Sequence, residues 1–277
     1  MLSQRLREGT ARILAAVPDF RGKGRLTMSL DRRLTDYSDP ASYLAVATIQ
    51  GAKMQLDLRQ FSERFVFYYR AYETELISLF RKLYKGGNFL DIGSNMGQYV
   101  VSMAPLVRKA GGRIFSVEPV DVNLARQKTN VALNGCTDLV EYATEVLGES
   151  EGTVYMTGQF DSSSVNALVA KDGTRPFHLT TLDRLAEERG WRGIGAVKID
   201  VEGYEPAVLR GGVQLFARER PLLLAEFNRE RMAINGFEMP ESWRMLRDLG
   251  YRGYAAAGGK LQELSEPADI ENIFFLP

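Results

Sequence analysis

Three short clusters of residues carry the chemistry open to this chain. The first is Phe89-Leu90-Asp91-Ile92-Gly93-Ser94-Asn95-Met96-Gly97, an apolar run that ends in an acid and then in two glycines four apart. That pattern predicts a buried strand, a tight turn and a helix. Glycine lets the backbone bend sharply and approach a ligand, and a helix start offers unpaired N–H groups. The second cluster, Arg113-Ile114-Phe115-Ser116-Val117-Glu118-Pro119, is another apolar strand with an acid at its carboxyl end, placed for a ribose diol. Either half alone would pass for a plain β-turn-α unit with a chance acid. Both together at this spacing point to a nucleoside at the switch point of an open α/β sheet. The third cluster is Lys198, Asp200 and Glu202, which alternate and would share one face of a strand.

A dinucleotide site calls for G-x-G-x-x-G, and that pattern is absent. Asn95 stands where the second glycine would admit a pyrophosphate. S-adenosylmethionine carries no phosphate. Asp91 is expected to receive its amino group, directly or through water. The turn Gly93–Asn95–Gly97 is expected to hold its carboxylate and sugar, and Glu118 its two ribose hydroxyls.

Asp91-Ile92-Gly93-Ser94-Asn95-Met96-Gly97, Glu118-Pro119, Asn134-Gly135 and above all Val197-Lys198-Ile199-Asp200-Val201-Glu202-Gly203-Tyr204-Glu205 resemble the FkbM-type methyltransferases. The resemblance covers about residues 65 to 230, and its most specific part is the K-I-D-x-E-G block. Ser94, where alanine is more usual, is a small departure. The resemblance implies S-adenosylmethionine as cofactor and the class I methyltransferase fold, a doubly wound Rossmann-like α/β sheet with helices on both faces and an antiparallel last strand. It also implies an acid near residue 145 that meets the adenine amino group, for which Glu145 is the choice over Glu149. It brings Tyr72 or Glu73 toward the pocket and makes the serine loop Asp161–Ser164 a candidate acceptor wall, against the alternative of a surface turn.

Three charges on a buried strand are costly without partners. Lys198, Asp200 and Glu202 are therefore expected to be catalytic, with a structural ion-pair network as the alternative. Asp200 or Glu202 would orient or deprotonate an acceptor hydroxyl, and Lys198 would hold a carboxylate ionised or position the acceptor. Asp200 and Glu202, with Glu226 or Asn228, offer oxygen ligands to Mg²⁺, yet no spacing demands a metal and none is expected. The only histidine, His178, lies away from these motifs and reads as a partly buried strand residue. The sequence thus predicts a methyltransferase, most simply an O-methyltransferase for a hydroxyl of a sugar, glycan or secondary metabolite. The alternatives are N-methylation of a small-molecule amine and a non-catalytic partner subunit.

The chain has 277 residues, 45% of them hydrophobic, with 35 basic and 35 acidic side chains. That suits a real core and argues against a nucleic acid partner. The one cysteine, Cys136, excludes an internal disulfide and reads as a packing residue. No signal peptide or membrane-length apolar run is evident, and the cytoplasm is the expected location. The expected organisation is an N-terminal extension, residues 1–60, and a methyltransferase domain, residues 61–277. The segment to Arg33 holds Arg5, Arg7, Arg12, Arg21, Lys23, Arg25, Arg32 and Arg33 against Glu8, Asp19 and Asp31. It reads as a solvated arm or a contact for an anionic surface.

The supporting elements follow from periodicity. Residues 1–17, with Leu2, Leu6, Ile13 and Leu14, form a partly ordered tail or a short amphipathic helix. Ser62–Leu83 is one aromatic-rich core helix stopped by Gly86-Gly87. A helix from Gln98 is kinked or ended by Pro105, and Asn123–Leu133 is closed by Asn134-Gly135. Strands are expected at 139–143, 196–201, 221–227, 251–254 and 273–276, with an antiparallel insert from Gly152 to Gly158. A capping box at Thr180–Asp183 opens a helix that Gly190 closes.

Overall fold

A computed structural model describes residues 2–18, 20–70, 73–158, 168–169, 172–267 and 270–277, with side chains from Arg5 onward. The chain divides into two units, Met1–Thr74 and Glu75–Pro277.

The first unit contains helices α1 (Leu2–Ala16), α2 (Lys23–Leu34), α3 (Pro40–Tyr43) and α4 (Phe61–Tyr69), with an antiparallel hairpin of β1 (Leu44–Ile49) and β2 (Ala52–Asp57). α1 is a helix, not a tail, because it buries Ala11 and Leu14. Its Leu6 and Ile13 stay exposed. The centre of the unit is polar. Asp31, fully buried, accepts hydrogen bonds from Thr35 Oγ1 and Tyr68 Oη, each at 2.9 Å, and from Tyr37 Oη. A buried carboxylate needs such partners. The helix expected over 62–83 is broken. α4 stops at Arg70, whose φ of 54° is left-handed, and a new helix starts at Thr74. Neither glycine nor proline marks this break, so periodicity alone runs through it. Tyr68 of the expected core stripe is buried, whereas Phe65 is exposed.

The second unit opens with α5 (Thr74–Leu83) and continues β3 (Asn88–Ile92), α6 (Gln98–Lys109), β4 (Ile114–Val117), α7 (Asp121–Leu133) and β5 (Val140–Ala143). An insert follows: β6 (Val146–Gly148), β7 (Gly152–Thr157), β8 (Leu168–Val169) and β9 (Arg175–Thr181). Then come α8 (Leu182–Glu188), β10 (Ile194–Ile199), α9 (Glu205–Gly211), α10 (Val213–Glu219), β11 (Leu222–Glu226), α11 (Arg229–Ile234), α12 (Met239–Asp248), β12 (Arg252–Ala257), β13 (Lys260–Leu264) and β14 (Asn272–Leu276).

The main sheet has the order β13-β12-β14-β11-β10-β3-β4-β5. β11, β10, β3, β4 and β5 are mutually parallel, and β14 enters antiparallel between β11 and β12. Alternate strand residues Leu90, Ile92, Val197, Ile199 and Leu223 pack with Leu182, Val208, Phe216 and Trp243 on one face. Phe80 of α5 meets Phe89, Phe274 and Tyr99 of α6 on the other. This is the doubly wound class I methyltransferase sheet. β6, β9, β7 and β8 form a separate four-stranded sheet.

Local details follow the chemistry. Thr181 Oγ1 caps α8 by accepting from Arg184 N at 3.2 Å. Asp183 does not complete a capping box. It accepts from Gln214 N and Leu215 N instead and so caps α10. Pro105 does not end α6, which runs on to Lys109. β13 was not expected, since its five residues hold only two apolar side chains. Its hairpin turn, Gly258-Gly259 with φ of 58° and 72°, is the signal that marks it. His178 lies on β9 as expected, but exposed rather than partly buried. Cys136 is buried and free, with Sγ 3.4 Å from Val131 O.

Candidate active site

A cavity opens to solvent at the carboxyl ends of β3, β4 and β10. From β3 the chain crosses to β4 on one side, while β10 lies on the other. This reversal of strand order leaves a crevice where open α/β sheets hold ligands. Gly93 and Asn95 follow β3, Glu118 and Pro119 follow β4, and Asp200, Val201 and Glu202 follow β10 along its wall. Val146, Met156 and Val169 of the small sheet close it opposite, and Glu145 stands at their edge.

The turn after β3 needs its glycines. Gly93 has φ of 75°, and a Cβ there would lie 1.7 Å from the carbonyl oxygen of Asp200. The β3 and β10 ends are therefore in backbone contact, joined also by Asp200 N donating to Ile92 O at 3.0 Å. At Gly97, φ 82°, a Cβ would fall 2.6 Å from Gln127 Cγ. Asn95 takes φ of 47°, a region asparagine tolerates. Its N–H donates to Glu118 Oε2 at 2.8 Å, and its Oδ1 is buried with no partner among the described residues.

Glu118 is 4% exposed and also accepts from Val120 N at 3.0 Å. Burial pushes its carboxyl up to about 7, against the lowering effect of these backbone donors. Glu145 is tied to Arg189 Nη2 at 3.2 Å.

Lys198 and Asp200 do share a face. Lys198 Nζ donates to Asp200 Oδ2 at 2.7 Å and sits 4.8 Å from the centre of the Tyr99 ring. Lys198 is also the register partner of Asp91 across β10 and β3, so both leave the sheet on the same face. Asp91 is 1% exposed, and Asp91, Gly97 and Lys198 are not among the residues that line the cavity. Glu202 is not on the strand. β10 ends at Ile199, and Glu202 takes a left-handed φ of 58° in the following turn, with its carboxylate against Arg231. Among the described residues no three His, Cys, Asp or Glu side chains converge as a metal site. Tyr72 and the loop Asp161–Ser164 lie outside the described residues, and Glu73 falls in the first unit.

Sequence reasoning missed the role of Glu205, the first residue of α9. It is fully buried, and its Oε1 accepts both Val201 N at 2.9 Å and Gly203 N at 3.1 Å. Oε2 is buried with no partner among the described residues. Burial pushes this carboxyl up to about 7. Burial favours the protonated form and the two backbone donors favour the ionised one, and in either form Oε1 ties down the turn bearing Glu202. An acid in a first helical turn reads as a dipole partner, and nothing in the letters separates that from this clamp. The insert's cavity wall was likewise unforeseen, because Met156 and Val169 look like ordinary half-buried strand residues.

The doubly wound sheet with its crevice at the ends of β3, β4 and β10 is the Rossmann-like fold of the class I methyltransferases. Residues 91–252, more than half of the chain, match the model of the Methyltransferase FkbM domain, and the chain belongs to that family. Among solved structures it is similar to the methyltransferase FkbM from Methylobacillus flagellatus KT, with 14% identity and a TM-score of 0.48, over 100% of this chain and 58% of that one. The chain thus spans less than two thirds of that protein. It is also similar to an O-methyltransferase from Bacillus cereus in complex with SAH, with 12% identity and a TM-score of 0.38, over 73% of this chain and 79% of that one. No curated protein matches it. No helix of the described residues is long and apolar enough to cross a membrane.

Proposed function

We propose that this protein transfers the methyl group of S-adenosylmethionine to a hydroxyl oxygen of a sugar, glycan or secondary metabolite. The observation that carries the reading is the meeting of Asp200, the Gly93 turn and Glu118 on one cavity. The unpartnered Asn95 Oδ1 on its wall fits a ligand bearing hydrogen-bond donors.

S-adenosylmethionine, when bound, supplies an electrophilic methyl on a sulfonium. Glu118 accepts the ribose hydroxyls, Glu145 meets the adenine amino group, and Gly93, Asn95 and Gly97 shape the turn around the amino acid end, with Asp91 beneath it. Asp200 Oδ2 is taken by Lys198, whereas Oδ1 has no partner among the described residues. Oδ1 is the atom that holds the acceptor hydroxyl in line and takes its proton. Glu202 fixes the acceptor beside it, and Lys198 keeps Asp200 in one orientation. Within the expected domain of residues 61–277, the compact unit Glu75–Pro277 carries this reaction, and the residues before it extend that unit. We assign it to the cytoplasm, since the single cysteine needs no oxidising compartment.

Calorimetry with S-adenosylmethionine, S-adenosylhomocysteine and NAD tests the cofactor. Heat with both sulfur nucleosides and none with NAD is expected, and silence with both overturns the reading. A methyl-transfer screen against hydroxylated sugars and natural products then tests the acceptor.

A further inference from the structure

The first unit carries a surface that methyl transfer does not use. Among the described residues, eleven large apolar side chains stay well exposed, and eight of them fall between Leu6 and Phe65. That is the smaller of the two units. Phe61, 71% exposed, and Phe65, 44% exposed, lie one turn apart on the same side of α4. Phe65 stacks on Tyr69 with ring centres 4.4 Å apart, and the Tyr69 hydroxyl meets Thr27 Oγ1 of α2 at 3.0 Å. The phenylalanine row of α4 therefore runs beside α2.

α2 turns Thr27 and Asp31 inward and leaves Arg25, Arg32 and Arg33 outward. None of these three has an ion-pair partner among the described residues. The acid that would balance them, Asp31, is fully buried and engaged inside the unit. The three arginines and Phe61 line one shallow groove. The bare aromatic rings are costly to leave in water while the guanidiniums are hydrated there, and each half of the patch suits a different partner. The guanidiniums want phosphate or carboxylate, and the rings want an apolar phase.

We propose that this α2–α4 face docks the protein on an anionic phospholipid surface. The arginine heads meet lipid phosphates while their stems lie along the apolar boundary, and Phe61 and Phe65 enter the interface below the headgroups. A free phosphate would leave the rings uncovered. A neutral bilayer would leave the charges unanswered. The chain's zero net charge speaks against a long polyanion such as RNA, which would meet as much repulsion as attraction elsewhere.

The test is co-sedimentation of the full chain with vesicles of equal parts phosphatidylcholine and phosphatidylglycerol, against phosphatidylcholine alone, at low and high salt. The chain is expected to sediment with the anionic vesicles only and to release as salt rises. Arg25→Gln with Arg32→Gln should weaken partitioning about 30-fold. Phe61→Ser with Phe65→Ser should abolish it at unchanged circular dichroism. The proposal is overturned if the wild type ignores anionic vesicles, or if both variant pairs fold and bind them as the wild type does. It is equally overturned if the variants cancel an RNA gel shift or a dimer while the wild type ignores vesicles. The salt titration of the wild type decides the matter even where a variant does not fold.

Discussion

Lys198 Nζ and Asp200 Oδ2 lie 2.7 Å apart at the carboxyl end of the central strand β10, with the lysine buried and the second aspartate oxygen left without a partner among the described residues. If that oxygen takes the acceptor proton, Asp200→Asn should lower turnover by about 10²- to 10⁴-fold. Affinity for S-adenosylhomocysteine should change little. Steady-state kinetics and calorimetry on the same preparation check this. Near-normal turnover in both Asp200→Asn and Glu202→Gln, with normal cofactor binding, would sink the assignment.

Two buried carboxyls, Glu118 and Glu205, are pushed up to about 7 from an ordinary value of 4.5. Between those values the native state binds more protons than the unfolded state. Stability should therefore fall as pH rises from about 4.5 to about 7, by roughly 3 kcal/mol for each group on these values. Urea denaturation across that window measures it. The Glu118→Gln variant should show a shallower fall, and an unchanged slope would contradict the burial argument.

Glu205 distinguishes itself by which replacement it tolerates. Glutamine keeps an amide oxygen for the Val201 and Gly203 N–H groups and has no charge to bury, so Glu205→Gln should be as stable as the wild type above neutral pH. Glu205→Ala removes the acceptor from two backbone donors, one of them buried, and should cost about 2 to 4 kcal/mol. A glutamine variant as damaged as the alanine one would mean that the native group is ionised.

At Gly93 a methyl group would meet the Asp200 carbonyl oxygen at 1.7 Å, in a backbone region side chains avoid. Gly93→Ala should lose about 3 kcal/mol or more and impair cofactor binding with it. Thermal melting with and without S-adenosylhomocysteine reads both effects. An unaltered melting temperature would show that the two strand ends separate easily.

Turnover should survive EDTA. Each carboxylate after β10 already faces a cation of the chain, Asp200 with Lys198 and Glu202 with Arg231. Loss on chelation that Mg²⁺ restores would place a metal in the reaction.

Much of this was legible because it is written in short-range letters. Gly93, Gly97 and the acids after two apolar runs announce a strand, a turn and a ligand-facing loop. β14 was placed by its apolar letters, and its antiparallel direction by family likeness alone. Glu202 was misjudged because alternation persists in the sequence after the strand has ended, and Gly203 next to it was the sign of a turn. The break at Arg70 was invisible because a non-glycine residue takes the left-handed conformation there. The clamp of Glu205 depends on burial, which the fold imposes and a local pattern does not record.

The near-touch of Gly93 against Asp200 has a bearing on retargeting the protein to new acceptors. The donor half of the cavity is set by main chain against main chain, so Gly93 has no room for a side chain whatever residue stands at 200. Val146, Met156 and Val169 of the small sheet line the same space. A library confined to those three positions would reshape what enters the cavity while leaving the donor's seat intact.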